Sequence, residues 1–272
     1  SAVVRAVAVR GNSVSAETRV EFTIETVHNA VLSFVSNGGS VVERVELPVG
    51  TALDLSAYVT EREGYDFTGW YLDAALTQPI TSLTLEADTT VYAGWRIRNP
   101  FVDVAEKDYF YDAVLWGVEN GVVKGMDETH FEPETVCTRA QALTFLWRAN
   151  GMPQPKTTTN PFVDVDASAY YYDAVLCVFE NGIVKGMDET HFEPDTACSR
   201  AHALTFLWRA KGMPQASGTT FADVPANAYY AQAVAWGVEN GIVKGMDETH
   251  FEPDTLCQRA HAVTFLWRAY AN

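Results

Sequence analysis

The sequence is short of positive charge, of cysteine and of long apolar stretches. It has 19 Lys and Arg against 35 Asp and Glu, a formal net charge of −16. A surface of that sign repels phosphate backbones and anionic headgroups, so free nucleic acid and anionic membrane surfaces are poor partners and none is expected. An anionic ligand is left only to local clusters of Arg and Lys. No apolar run approaches the roughly 18 residues of a membrane span, which argues against membrane insertion. CxxC and HExxH are both missing, and with them the usual short zinc signatures. An initiator Met is missing too. The chain opens inside an apparent strand, "AVVRAVAV", and is therefore expected to be a piece of a longer protein, whose remainder would hold any signal peptide and catalytic domain.

What is present is a globular composition, 47% hydrophobic and 20% charged over 272 residues, and a threefold repetition. "NGVVKGMDETHFEPETVCTRAQALTFLWRA" from Asn120 returns with few changes from Asn181 and from Asn240. Phe101, Phe162 and Phe221 open the three units, each of roughly 60 residues. Linkers rich in Pro, Thr, Gly and Ser, "GMPQPKTTTN" and "GMPQASGTT", separate them. Within a unit, Val114, Leu115 and Val118 form an apolar stripe at helical spacing, stopped by Gly121. A Gly-, Asp- and Pro-bearing loop follows, then a second helix from near Thr138 to the Gly151 region. Its buried face is Ala142, Phe145, Leu146 and Ala149. Two short helices cannot bury such faces alone, so the units are expected to pack around a shared axis. Of the cysteines at 137, 177, 198 and 257, three fall at equivalent positions. Equivalent positions in an array rarely pair, so they read as small buried residues rather than disulfides.

The first third reads as β. Residues 1–28 alternate ("VRAVAV", "TRVEFTIET") as two strands of an upstream β domain. Residues 29–97 form a second β-rich unit, with a hairpin signal at "NGG" and a large aromatic core payload in Trp70, Tyr71, Tyr92 and Trp95. Phe34–Gly39 ("F.SNGG"), Gly64–Asp73 ("GY.F.GWY.D") and Tyr92–Trp95 ("YAGW") resemble the internalin-type B-repeat, also called the Listeria–Bacteroides repeat. That resemblance implies a small β-grasp-like spacer or adhesive module of surface proteins.

The C-terminal units resemble the S-layer homology domain, with boundaries at 98–155, 156–216 and 217–272. The likeness rests on "F.DV" at Phe101, Phe162 and Phe221, on "NG...G" ending at Gly125, Gly186 and Gly245, and on a "TRAE"-like signature. That signature reads Thr138-Arg139-Ala140-Gln141, Ser199-Arg200-Ala201-His202 and Gln258-Arg259-Ala260-His261. The resemblance implies an α+β chain ending in a mainly α, pseudo-threefold, three-pronged spindle. It also implies a non-enzymatic, cofactor-free module of the bacterial cell surface. Its partner would be the secondary cell wall polymer attached to peptidoglycan, often bearing a pyruvylated sugar.

The candidate ligand residues follow from that. Arg139, Arg200 and Arg259 begin a helix, where free N–H groups, the dipole and a guanidinium fork suit a carboxylate. The other reading is a structural ion pair. Lys124, Lys185 and Lys244 add a second charge or are solvated. Asp103, Asp164 and Asp223 accept sugar hydroxyls or cap the first helix. Trp116 and Trp236 stack on a sugar ring or pack in the core. Thr138 and Gln141 suit a capping box, whereas Ser199 keeps half of it and Gln258 none. The Glu of the family signature is absent throughout, and repeat two has Cys177-Val178-Phe179 where the others have Trp-Gly-Val. The sites are therefore expected to be unequal.

Three rival readings remain. Cys198-x3-His202 and Cys257-x3-His261 have a spacing open to zinc, broken by Gln141 in repeat one. Cysteine–histidine catalysis would need a thiolate in a cleft. Adhesion to a host or other glycan, or self-assembly into a lattice through the β domains, is the alternative function.

Overall fold

The computed structural model describes residues 2–23, 26–218 and 221–271 and divides into two compact units, Ser1–Arg98 and Asn99–Asn272. The first is β throughout. Strands β1 (Ala2–Ala6) and β4 (Thr18–Phe22) pair antiparallel, and between them β2 (Val9–Arg10) and β3 (Ser13–Val14) form a tight hairpin. The first strand expected from the sequence, "VRAVAV", is thus broken after Ala6, and the second, "TRVEFTIET", is a strand from Thr18 to Phe22. The part of the second read at positions 24 and 25 lies outside the described residues. Val4, Val9, Val14 and Phe22 are all exposed, as a two-stranded ribbon with no facing layer must leave them.

The remainder of this unit has β5 (Asn29–Val35), β6 (Val45–Pro48), β7 (Thr51–Asp54), a 3₁₀ turn (Leu55–Ala57), β8 (Tyr65–Tyr71), β9 (Pro79–Ile80), β10 (Ser82–Leu85) and β11 (Thr89–Ile97). Five strands form a sheet in the order β6-β5-β11-β8-β9, with β5 and β11 parallel, and β7 pairs separately with β10. The "NGG" turn is present: Asn37 and Gly38 both have positive φ, and Gly39 N–H donates to Ser36 O at 2.9 Å. The next strand starts only at Val45. Trp70 is the largest buried side chain here, its indole N–H satisfied by Tyr58 O at 2.8 Å.

Among the described residues the second unit holds six helices: α1 (Tyr111–Glu119), α2 (Arg139–Ala149), α3 (Tyr172–Glu180), α4 (Arg200–Ala210), α5 (Ala231–Glu239) and α6 (Arg259–Tyr270). The chain as a whole is therefore α+β. α2, α4 and α6 pack on one another around a void of only 20 Å³, lined by Leu146, Leu207, Leu266 and their neighbours. The outer helices do not pack mainly on their own repeat's partner. α3 sits on α2, α5 on α4, and α1 closes the cycle on α6. Each lobe thus combines the first helix of one repeat with the second helix of the repeat before it.

Backbone hydrogen bonds show the same cyclic exchange. Cys137 N–H donates to Cys257 O, Cys257 to Cys198 and Cys198 to Cys137, at 2.7–2.9 Å. Two residues further on, the N–H groups of Arg139, Arg200 and Arg259 donate to Thr196, Thr255 and Thr135, each at 2.9 Å. The four cysteines are free and buried. Burial pushes the thiols of Cys137 and Cys198 up to about 12 and that of Cys257 well above the usual thiol range. Those thiols are inert at neutral pH, which removes the cysteine–histidine catalytic reading. Among the described residues no cluster of three or more His, Cys, Asp or Glu is placed to hold a metal ion, and no helix is long and apolar enough to cross a membrane.

The loop between the helices of each repeat folds tightly over its glycine. A Cβ on Gly125 would lie 2.3 Å from Asp127 O and 2.6 Å from a ring carbon of Phe101, and Gly186 and Gly245 are equally enclosed. These glycines are steric requirements of the loop. Gly125→Ala is expected to cost about 1–3 kcal/mol in urea unfolding, because two of the blocking atoms are backbone oxygens with no slack.

Candidate functional site

The candidate site is built where one repeat's loop covers the start of another repeat's second helix. Arg139 is 3% exposed, Arg200 3% and Arg259 2%. Each guanidinium reaches across to another repeat's loop. Arg139 Nε donates to Phe192 O and its Nη2 to Lys185 O, both at 3.2 Å. Arg200 binds Phe251 O and Lys244 O in the same way, and Arg259 binds Phe131 O at 2.9 Å and Lys124 O at 2.8 Å. Each also lies over a Phe ring, at 4.6–4.9 Å from the centroids of Phe192, Phe251 and Phe131.

This corrects the expectation of an open, anion-binding helix start. The first N–H of each second helix goes to a threonine carbonyl. The second goes to Pro194, Pro253 or Pro133, as in Ala140 N–H to Pro194 O at 3.0 Å. Thr138 and Ser199 cap the N–H of Gln141 and His202. The backbone donors are spent before a ligand arrives. The capping box at Thr138 forms as read. The third repeat departs from its reading, because Gln258 N–H donates to His261 Nδ1 at 3.4 Å. The histidine stands in for the absent glutamate, and all three arginines keep equivalent partners without it.

The arginines also lack a counter-ion. Among the described residues no carboxylate lies within 4.0 Å of Arg139, Arg200 or Arg259; the ion pairs present involve other residues. Burial pushes their pKa down, opposed by more distant groups such as Glu193 for Arg139. A guanidinium stays protonated regardless. Three positive charges are therefore held in low dielectric, hydrogen-bonded only to neutral carbonyls.

The other expected residues fall as follows. Lys124, Lys185 and Lys244 expose their side chains while their carbonyls receive the arginines. The pairing is across repeats: Lys185 with Arg139, Lys244 with Arg200 and Lys124 with Arg259. Asp103 does not cap the first helix. Its carboxylate accepts from Phe131 N–H at 2.9 Å and Glu132 N–H at 2.7 Å, pinning a loop in which Glu132 has φ +56°. Asp164 and Asp223 do the same for Glu193 and Glu252. α1, α3 and α5 start without side-chain caps, at Phe110, Tyr171 and Tyr230. Trp236 is 7% exposed and packs in the core, with Trp116 half-buried against it, so Trp236 presents no face to a sugar.

The aromatic rings that do face outward are Tyr109, Tyr170 and Tyr229, 57%, 61% and 54% exposed. They are not among the residues expected above, although their recurrence one position before the first helix's N-cap is visible in the sequence. Tyr109 stacks on His261 at 6.3 Å and Tyr229 on His202 at 6.0 Å. Gln141 takes the histidine's position on α2. Burial, then the nearby arginine, pushes both imidazoles down: Arg139 acts on His202 and Arg200 on His261. Both rings are neutral at neutral pH. Burial also pushes up the Tyr229 phenol, to about 12, so the tyrosines act as neutral hydroxyls. Each groove thus presents an exposed phenol, a neutral imidazole or amide, and a buried cation behind them.

In the "DETH" loops Asp127, Asp188 and Asp247 accept from the backbone N–H groups two and three residues on and from a histidine Nδ1. Those bonds, led by the backbone N–H of Thr129, Thr190 or Thr249, hold the carboxyls at about 2. A carboxyl depressed on folding stabilises above its unfolded pKa and loses that contribution as pH falls through the folded value. Thermal melts should therefore fall as pH drops from about 4 towards 2. Replacing all three with Asn should flatten that slope.

The comparisons with known proteins define the class. The Listeria–Bacteroides repeat domain matches residues 31–94, and the S-layer homology domain matches residues 100–143, 161–204 and 220–263. The chain carries a Listeria–Bacteroides repeat domain followed by three tandem S-layer homology domains. It is similar to the surface-layer 125 kDa protein of Lysinibacillus sphaericus, 30% identical over 58% of this chain and 14% of that protein. It is also similar to the S-layer protein sap of Bacillus anthracis, 29% identical over 61% and 20%. An amylopullulanase of Thermoanaerobacterium thermosulfurigenes shares 25% identity over 65% and 10%. The chain thus spans at most about a fifth of these relatives' lengths, and one of them carries an enzyme's name. The domains and the relatives locate it at the cell surface or cell wall and support an anchoring role there.

Proposed function

We propose that the helical unit anchors a surface protein non-covalently by holding an acidic secondary cell wall polymer in the grooves between lobes. On this reading the lobes are the three prongs of a spindle, and the β unit is a β-grasp-like spacer. The carrying observation is the set of three buried guanidiniums without counter-ions. A buried charge that meets only neutral dipoles leaves a strong field in the groove. In a protein of net charge −16, such a field gives an acidic sugar somewhere specific to go. A pyruvyl ketal carboxylate would sit over Arg139, Arg200 or Arg259. Lys185, Lys244 or Lys124 would supply a solvated second cation. Tyr229, Tyr109 or Tyr170 would offer its ring to the sugar face and its hydroxyl to the sugar oxygens.

Sedimentation with purified wall sacculi tests this. The full chain should pellet with untreated sacculi and stay in solution once acid extraction has removed the polymer. Pelleting with both would transfer the role to peptidoglycan or to general adhesion. Pelleting with neither would end the anchor reading.

A further inference from the structure

We infer a second ligand site, separate from the grooves, in a pocket at the C-terminal ends of α2, α3 and α4. It arises from the one large departure among the repeats. Trp116-Gly117-Val118 and Trp236-Gly237-Val238 have Cys177-Val178-Phe179 as their counterpart. Gly117 and Gly237 are closely packed, a Cβ there meeting Val123 or Val243 at 2.7–2.9 Å. In repeat two those positions carry a thiol and a valine side chain instead. Beside them lies a pocket of about 470 Å³ walled by Trp147, Lys156, Cys177, Asn181, Ile183 and Arg209. That volume falls in the range of small-molecule sites, about 300–1,000 Å³.

Its chemistry suits a neutral, amphipathic sugar. The helix ends present the negative end of their dipoles, which offsets the charges of Lys156 and Arg209 on the walls and leaves no net preference for an anion. The nearby carboxylate, Glu180, is already taken by the N–H groups of Lys156 and Thr157 at 2.9–3.0 Å. Arg209 spends one N–H on Ile183 O at 3.2 Å and keeps others for a ligand. The Asn181 amide nitrogen is turned inward onto Cys177 O at 2.7 Å, leaving its oxygen as an acceptor. Trp147 holds its N–H on Pro153 O at 2.8 Å, which fixes the ring as a wall. An N-acetylhexosamine matches this set: hydroxyls for Arg209 and Asn181, a ring face for Trp147, and an acetyl methyl for Ile183. The acidic polymer of the grooves does not match it, so the site goes beyond the anchoring proposal.

The test is an NMR titration of the full chain with N-acetylglucosamine, with sodium pyruvate as the anionic comparison. The sugar should shift the Trp147 indole signal saturably and pyruvate should not. Cys177→Trp, which restores the residue found in the sister repeats, should weaken the sugar by about tenfold or more and leave sedimentation with sacculi unchanged. Should that variant fail to fold, Arg209→Gln serves instead, and it should weaken the sugar in the same way. No saturable shift up to about 100 mM, or a folded variant that titrates like wild type, overturns the proposal. Because sedimentation is read separately, the anchor reading can fail without this one, and the reverse.

Discussion

A chain cut after residue 216, lacking the third repeat, is expected to lose the fold of the two repeats it retains. Three independent connections require this. α1 loses α6, the helix it packs against. The first repeat's loop loses Arg259, which holds the carbonyls of Phe131 and Lys124. The backbone ring opens, since Cys137 N–H then has no Cys257 O and Cys198 O has no Cys257 N–H. In an open solenoid, removing a terminal repeat subtracts one repeat's share of stability. In a closed cycle it exposes two interfaces at once, so the loss is cooperative. Circular dichroism of the truncated chain should show neither the helical signal of two repeats nor a cooperative melt. A sharp two-state transition in that chain would mean that the repeats are autonomous.

Arg259→Ala is expected to cost the helical unit about 2–4 kcal/mol and to abolish wall retention by its groove. The stability loss has opposing parts. Two buried carbonyls lose their donor, at about 1–3 kcal/mol each, and the contact with the Phe131 ring at 4.6 Å disappears. Against that, a buried cation without a counter-ion no longer has to be kept from water, which returns part of the loss. Arg259→Lys keeps the charge but presents a single ammonium to two carbonyls on different residues. It should recover binding more fully than stability. Urea unfolding and sedimentation of both variants separate the two effects. An Arg259→Ala protein as stable as wild type would contradict the clasp, and one that binds walls equally well would contradict the charge.

Much of this architecture could be read from residues alone. The helix spanning Arg139–Ala149 is announced by its apolar face at Ala142, Phe145 and Leu146, and its start by the Thr138–Gln141 box. The β unit follows from "NGG" and its aromatic residues. The connections between repeats could not be read. Near-identical repeats offer each second helix three equivalent loops, and the choice of the following repeat's loop depends on linker reach and on which arrangement closes. The sequence marks Arg139 as an open anion-binding fork because it stands at the start of a helix, where free N–H groups and the dipole suit a carboxylate. It is buried because Lys185 and Phe192, some 50 residues away in sequence, arrive over it. The capping role expected of the "F.DV" aspartates fails for a related reason. Asp103 does not cap the helix a few residues later but pins a loop 28 residues on. Local pattern shows that a polar residue is needed, and only tertiary structure shows for what.

The central claim is that buried, unpaired guanidiniums behind Tyr109, Tyr170 and Tyr229 give the grooves their hold on an acidic wall glycan. Titration calorimetry with purified polymer, comparing wild type with a protein carrying Ala at all three tyrosines, tests it most directly. The account predicts saturable but unequal sites, since one groove has Gln141 where the others have histidine. It also predicts their loss in the triple variant and upon removal of the polymer's acid groups. Three identical sites, or binding that survives both the variant and the neutralised polymer, would contradict it.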